Sequence, residues 1–237
     1  MSGPDFIELT TGERIPILYE DRSVLALDKP RHWMLVPFNW QGTKRNLHAA
    51  LVSSIAAGSF WARRRGLRFL RHVHRLDADT TGVLLCVKSR GALEPYSRLF
   101  ASQEMEKTYL ALVHGKPGQA EWTCRLAISP DPRQIGRMKV NTRLGKDAVT
   151  HFKVLETRGD RTLVEAHPRT GRTHQLRVHL AAEGLPILGD PLYGRPGDRT
   201  RDLALRAVEL AYRDPFTRKP VRIKASTVAF LEEFGIR

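Results

Sequence analysis

An α+β fold is predicted by three features of the sequence. Short apolar runs of strand length recur between turn residues, and a few stretches carry helical spacing instead. No repeat, low-complexity tract or Ser/Gly-rich linker divides the chain. The strand-like runs are Ile15–Tyr19, Val24–Leu27, Gly82–Val87, Tyr109–Val113, Val149–Leu155 and Leu163–Ala166. Helical spacing appears over Leu47–Ile55, in the set Leu93, Tyr96, Leu99 and Phe100, and in Leu176, Leu180 and Ala181, with Gly184 as a C-terminal stop. Residues 1–14 read as an irregular lead-in and 15–237 as one domain, with the Arg-rich stretch Arg63–Arg71 a loop or short helix inside it.

With 41% hydrophobic and 27% charged residues in 237, the composition is that of an ordinary soluble globular protein and excludes a disordered or collagen-like chain. The longest strongly apolar stretch, Gly82–Val87, ends at Lys88, far short of the roughly 20 residues that span a bilayer. Met1-Ser2-Gly3-Pro4-Asp5 lacks the basic start and apolar centre of a secretory signal, so a cytoplasmic location is expected. Cys86 and Cys124 both lie in apolar or alternating segments, where packing is a better account than disulfide or metal chemistry.

Charge is the informative departure. Lys+Arg number 39 against 25 Asp+Glu, a formal +14, and the isoelectric point is about 10.4. An excess of this size favours a polyanionic partner, either nucleic acid or an anionic membrane surface. The arginines crowd Arg63–Arg71 and return at Arg195, Arg199, Arg201, Arg206, Arg213, Arg218 and Arg222. Membrane binding would concentrate them on one amphipathic helix. Dispersed patches instead suit an extended nucleic-acid surface.

Polar groups pile up in His72-Val73-His74-Arg75-Leu76-Asp77-Ala78-Asp79-Thr80-Thr81-Gly82, just before an apolar strand. Three chemistries compete for this segment. A metal site would use His72, His74 and Asp77, but no fourth ligand is evident and the neighbouring arginines repel cations. A glycosidase-like carboxylate pair would use Asp77 and Asp79, yet groups two residues apart in a turn seldom flank a substrate on opposite sides. The third is a single carboxylate acting on a sugar or base while arginines hold it and the phosphate chain.

The run His74-Arg75-Leu76-Asp77-Ala78-Asp79-Thr80-Thr81-Gly82 closely resembles the H-R-L-D-x-x-T-S-G signature of RluA-like pseudouridine synthases. Further segments resemble the family in register: Ile17–Asp21 and Leu27-Asp28-Lys29-Pro30, the K-x-Y element at Lys107-Thr108-Tyr109, Gly145–Thr150, Thr170–Leu180 and Leu185–Gly194. Several motifs in order, from about Ile15 to Ser226, are far more specific than one short pattern. There are departures. Thr81 replaces the commoner serine, Arg206 stands where a histidine is usual, and Trp33–Trp40 differs from the family's Gly-containing loop.

The resemblance implies a pseudouridine synthase fold, with a mixed, largely antiparallel central sheet flanked by helices and loops; many relatives also carry a separate N-terminal RNA-binding domain, which is not expected ahead of Ile15 in this sequence. It implies isomerisation of uridines in structured RNA, ribosomal or transfer, without cofactor or metal. The expected partner is RNA and not membrane, and a monomer is the favoured state. Asp77, Tyr109 and Arg177 correspond to the catalytic residues. Arg75 corresponds to the residue that fills the space vacated by the everted nucleotide. His74, Arg172, Thr173 and Gln175 flank these positions and are expected at the RNA, by touching phosphate or by orienting the carboxylate. Lys107 and Arg125 read as phosphate contacts or solvated charge. The rival reading is an RNA-binding or assembly protein on the same fold whose catalysis has lapsed. A base-excising glycosidase is a third.

Overall fold

The computed structural model describes residues 6–9, 11–35 and 45–236, so the Val36–Trp40 part of the rim loop lies outside the described residues. The chain forms two compact units, one built from residues up to Met105 with Glu209–Ala225, the other from Glu106–Val208 with the segment from Ser226 onward.

In the first unit, β1 (Phe6–Glu8) pairs with β2 (Arg14–Glu20), and β2 with β3 (Val24–Lys29). Helices α1 (Leu47–Ala56) and α2 (Phe60–Arg64) follow, then β4 (Arg71–His72), β5 (Thr81–Val87) and α3 (Arg90–Ala101). β5 pairs antiparallel with both β3 and β4. The expected irregular lead-in is thus corrected: Phe6–Glu8 is a strand, because buried Ile7 pairs with Ile15 and Gly12, at φ 81°, lets the chain reverse between them.

Strands β3 and β5 are apolar almost throughout because both of their faces are covered. Leu25, Leu27, Leu84 and Cys86 pack with Leu47 and Leu51 of α1 and Trp61 of α2. The alternate residues Val24, Ala26, Val83, Leu85 and Val87 pack with Ala92, Tyr96 and Leu99 of α3. Asn46 caps α1 by accepting the Ala49 N–H, and Ser89 caps α3 through the Ala92 N–H.

The second unit carries β6 (Glu106–His114), β7 (Glu121–Cys124), β8 (Ile128–Pro130), β9 (Met138–Val140), β10 (Thr150–Arg158), β11 (Arg161–Pro168) and α4 (Gln175–Ala182). β6, β11, β10 and β7 lie side by side, all antiparallel, while β8 and β9 form a separate hairpin. α4 stops where the sequence predicts: Gly184 takes φ 75°, and the Leu185 N–H closes onto the Leu180 carbonyl. Its inner face packs Leu176 and Leu180 against Leu110, Leu112, Phe152 and Val164.

The chain then passes along β12 (Leu205–Arg213), whose Glu209–Arg213 half pairs antiparallel with β13 (Pro220–Lys224) in the first unit. It ends on α5 (Val228–Glu233), whose Phe230 joins the core of the second unit. Both cysteines are buried and unpaired. No helix among the described residues is long and apolar enough to cross a membrane.

Candidate active site

In the first unit, β4 and β5 pair antiparallel and the chain between them, Val73–Thr80, forms a turn with Asp77 at its corner. The Thr80 N–H closes it onto the Asp77 carbonyl at 3.2 Å. Leu76 is buried beneath, Asp77 is half-buried and Arg75 is exposed. His74 Nε2 accepts the Leu85 N–H at 2.9 Å, and its ring stacks on Phe100 with centroids 4.6 Å apart. That bond gives His74 an anchoring task in the backbone of the turn.

Beneath the turn sits a residue whose role the sequence does not announce. Lys29, at the end of β3, is fully buried, and its Nζ donates to the carbonyls of Pro30, Ala78 and Thr80 at 2.9, 2.8 and 3.0 Å. Two of those carbonyls lie just beyond Asp77, so the ammonium fixes the path of the Asp77 turn. Burial pulls the Lys29 amine down to about 7, against the opposing fields of Asp79 and Asp77. Asp79 has its own contact, with His32 Nδ1 at 3.0 Å. His72 packs edge-on against His48, and burial, His48, Arg71 and Arg75 together push it down to about 4, so it is neutral at pH 7.

In the second unit, Tyr109 lies on β6 opposite Ala166 of β11. The turn before α4 is held by a hub. Gln175 is buried; its Oε1 accepts from Thr170 Oγ1 at 2.7 Å and the Arg172 N–H at 3.0 Å, and its Nε2 donates to the Val149 carbonyl and Thr150 Oγ1. Exposed Arg172 is fastened through Nε to the Asp147 carbonyl, and Thr173 is half-buried beside it. His174 takes a left-handed φ of 55° at the helix start, with Nδ1 2.9 Å from the Tyr193 hydroxyl.

Arg177, in the first turn of α4, is buried, and its guanidinium meets Asp190 edge-on. Nε donates to Oδ2 and the second terminal nitrogen to Oδ1, both at 2.8 Å, with the two side chains 4% and 0% exposed. Oδ1 of Asp190 also accepts the N–H groups of Leu192 and Tyr193. Burial would raise this carboxyl, but the Arg177 hydrogen bonds and charge and the two backbone N–H groups hold it below the usual carboxylate range. The ring of Tyr193 lies 5.2 Å from the Arg177 guanidinium carbon. The turn is possible because residue 194 is glycine: a Cβ there would fall 2.2 Å from the Asp190 carbonyl oxygen.

The predicted site residues therefore fall into two groups, His74, Arg75 and Asp77 in the first unit and Tyr109, Arg172, Thr173, Gln175 and Arg177 in the second. Sequence reasoning missed Lys29 and Asp190 as working residues. The available signal was a charged side chain closing or interrupting an apolar run, Leu25–Leu27 before Lys29 and Leu185–Leu188 before Asp190. Arg206, the departure from the family pattern, is buried and donates through Nε to the Ser226 carbonyl.

Residues 24–182 match the family described as RNA pseudouridylate synthase, and the chain belongs to that family of uridine-isomerising enzymes. It is 37% identical over 214 residues to an uncharacterized RNA pseudouridine synthase, YlyB, of Bacillus subtilis, covering 89% of this chain and 68% of that protein. It is 36% identical over 233 residues to ribosomal large subunit pseudouridine synthase C of Vibrio vulnificus, covering 92% and 67%. The structure of human RNA pseudouridylate synthase domain containing 1 superposes with a TM-score of 0.71 at 27% identity, over 90% of this chain and 83% of that one.

Proposed function

We propose that this protein converts specific uridines to pseudouridine in structured RNA, with the Asp77 carboxylate as the catalytic group. The observation that carries the reading is the Asp77 turn, whose following carbonyls are gripped by a buried lysine so that one half-buried carboxylate is presented from a fixed corner. Ribosomal RNA is the favoured substrate over transfer RNA, since the Vibrio vulnificus relative is named for the large ribosomal subunit.

The reaction breaks the N1–C1′ bond, turns the uracil over within the site and joins C5 to C1′. The C5 proton is lost and N1 regains one, so composition is unchanged. Uracil leaves as a resonance-stabilised anion, which relaxes the need for a second carboxylic acid to protonate it. Asp77 serves either by attacking C1′, to be displaced later by C5, or by taking a ribose proton as the glycosidic bond breaks and returning it to the same carbon when C5 bonds to C1′. By correspondence with the family, Arg177 is the arginine assigned to the catalytic carboxylate, where its charge would offset the cost of burying that group. Tyr109 stacks on the uracil and assists loss of the C5 proton. Arg75 occupies the place left by the everted nucleotide. Arg172 and Thr173 meet the RNA backbone, whereas His74 and Gln175 contribute by shaping the turns on which the others stand.

RNA labelled with tritium at C5 of uridine tests this directly, because isomerisation releases the label. The wild-type protein is expected to release it, and Asp77→Asn to lower kcat by on the order of 10³ or more while RNA affinity is retained. Binding without release would mark a protein whose catalysis has lapsed, and free uracil with an abasic ribose would mark a glycosidase. Mapping pseudouridine in RNA from cells with and without the gene identifies the target.

A further inference from the structure

Two lysines are drawn into the interior of the described structure, and they are treated very differently. Lys29 has three carbonyl acceptors and two nearby carboxylates. Lys107, on β6, is partly buried, and among the described residues its Nζ has one acceptor, the Thr170 carbonyl at 3.1 Å. The charged groups around it do not compensate it. Glu106 is its exposed strand neighbour on the opposite face, and Glu165 of β11 is hydrogen-bonded to His167 at 2.9 Å. Arg169 and Arg172 lie on either side of Thr170 in the sequence, and Arg172 Nε donates to the Asp147 carbonyl. Among the described residues Lys107 forms no ion pair with either glutamate. A desolvated ammonium with one carbonyl and no counter-charge is costly to keep.

Its position says what supplies the missing charge. Lys107 and Tyr109 are two apart on one strand, so they share a face with their Cα atoms ~6.6 Å apart. The Thr170 carbonyl ties the ammonium to the turn that carries Arg172. Resting on the assignment of Tyr109 to the uracil in the function proposed above, we infer that Lys107 binds a backbone phosphate of the RNA at or next to the target nucleotide. The phosphate completes the coordination of an ammonium that the folded chain leaves with one acceptor. Burial holds the Lys107 amine down at about 8 in the RNA-free protein, so phosphate binding at alkaline pH is coupled to proton uptake.

The test is binding of in-vitro-transcribed large-subunit ribosomal RNA to wild type, Lys107→Met and Lys107→Arg, over salt at pH 7.0 and at pH 8.5. Lys107→Met should reduce the slope of log K against log salt by about 0.7–0.9, the value of one phosphate contact. Wild-type affinity should fall about fourfold between the two pH values, as a group titrating near 8 must be reprotonated to bind. Lys107→Arg, charged at both, should keep the salt slope and lose the pH step. A Lys107→Met protein with wild-type slope and pH step overturns the inference. So does one whose kcat falls while binding is untouched, since the group would then act on the base. Tritium release by wild type, measured on the same RNA, judges the proposed function separately: release with no change in slope sinks only the role of Lys107, and no release sinks the isomerase reading whatever the binding data say.

Discussion

The guanidinium of Arg177 is oriented before any RNA arrives. Two donors on one edge meet Asp190, and the Tyr193 ring restrains it, so its plane is set by neighbours on the same unit. Removing one member of so buried a pair leaves the other uncompensated, and Asp190→Asn is expected to lower unfolding free energy by about 3–5 kcal/mol, read by urea denaturation. The pH dependence has a definite sign. A carboxyl held low in the folded state adds stability that is fully present above its unfolded value, ~3.9, and is lost as pH falls below that toward the folded value. The acid limb of the stability profile should therefore flatten in Asp190→Asn. An unchanged limb would show that the pair contributes no net stabilisation. Asp190 was hidden in the sequence because its partner lies thirteen residues back across a helix end; no local pattern announces such a bond.

At the scale of elements, legibility followed burial. β3 and β5 could be read from the sequence because both faces of each are covered, which demands nearly continuous apolar runs. β12 could not, because Arg206 and Glu209 interrupt Leu205–Arg213 although much of the strand is buried. β8 and β9 have three residues each, too few to establish alternation. The Asp77 turn was visible as a crowd of polar residues, but its anchor was not: Lys29 stands 49 and 51 positions from the carbonyls of Ala78 and Thr80. That anchor makes its own prediction. Since the folded value of Lys29 is about 7 and the unfolded value ~10.4, the folded state binds fewer protons between those limits and stability rises with pH across that window. Urea titrations at pH 6.5 and 9.5 should show this rise in wild type, with an upper bound of about 4 kcal/mol from the shift, and lose most of it in Lys29→Met. An equal rise in both proteins would discard the assignment.

For the molecule as a whole, the formal +14 sets the expectation that RNA affinity falls steeply with salt. Not every arginine in the Arg63–Arg71 cluster is available for this. Arg65 is occupied by Glu20 at 2.7 Å, whereas Arg63, Arg64, Arg68 and Arg71 are exposed. Replacing those four with alanine should flatten the salt slope by about 0.7–0.9 for each phosphate that is no longer neutralised, measured by filter binding. A slope equal to wild type would remove the patch from the footprint. Composition carried this much without a structure, but which arginines are committed internally is a matter of tertiary pairing. The two thiols offer a practical corollary. Cys86 and Cys124 are sealed in the interior, and burial pushes the first up to about 12 and the second up to about 11, so neither supplies thiolate to a maleimide at neutral pH. A cysteine engineered at exposed Arg75 would be the sole reactive handle on the native protein, ready to take a fluorophore that reports when the RNA docks.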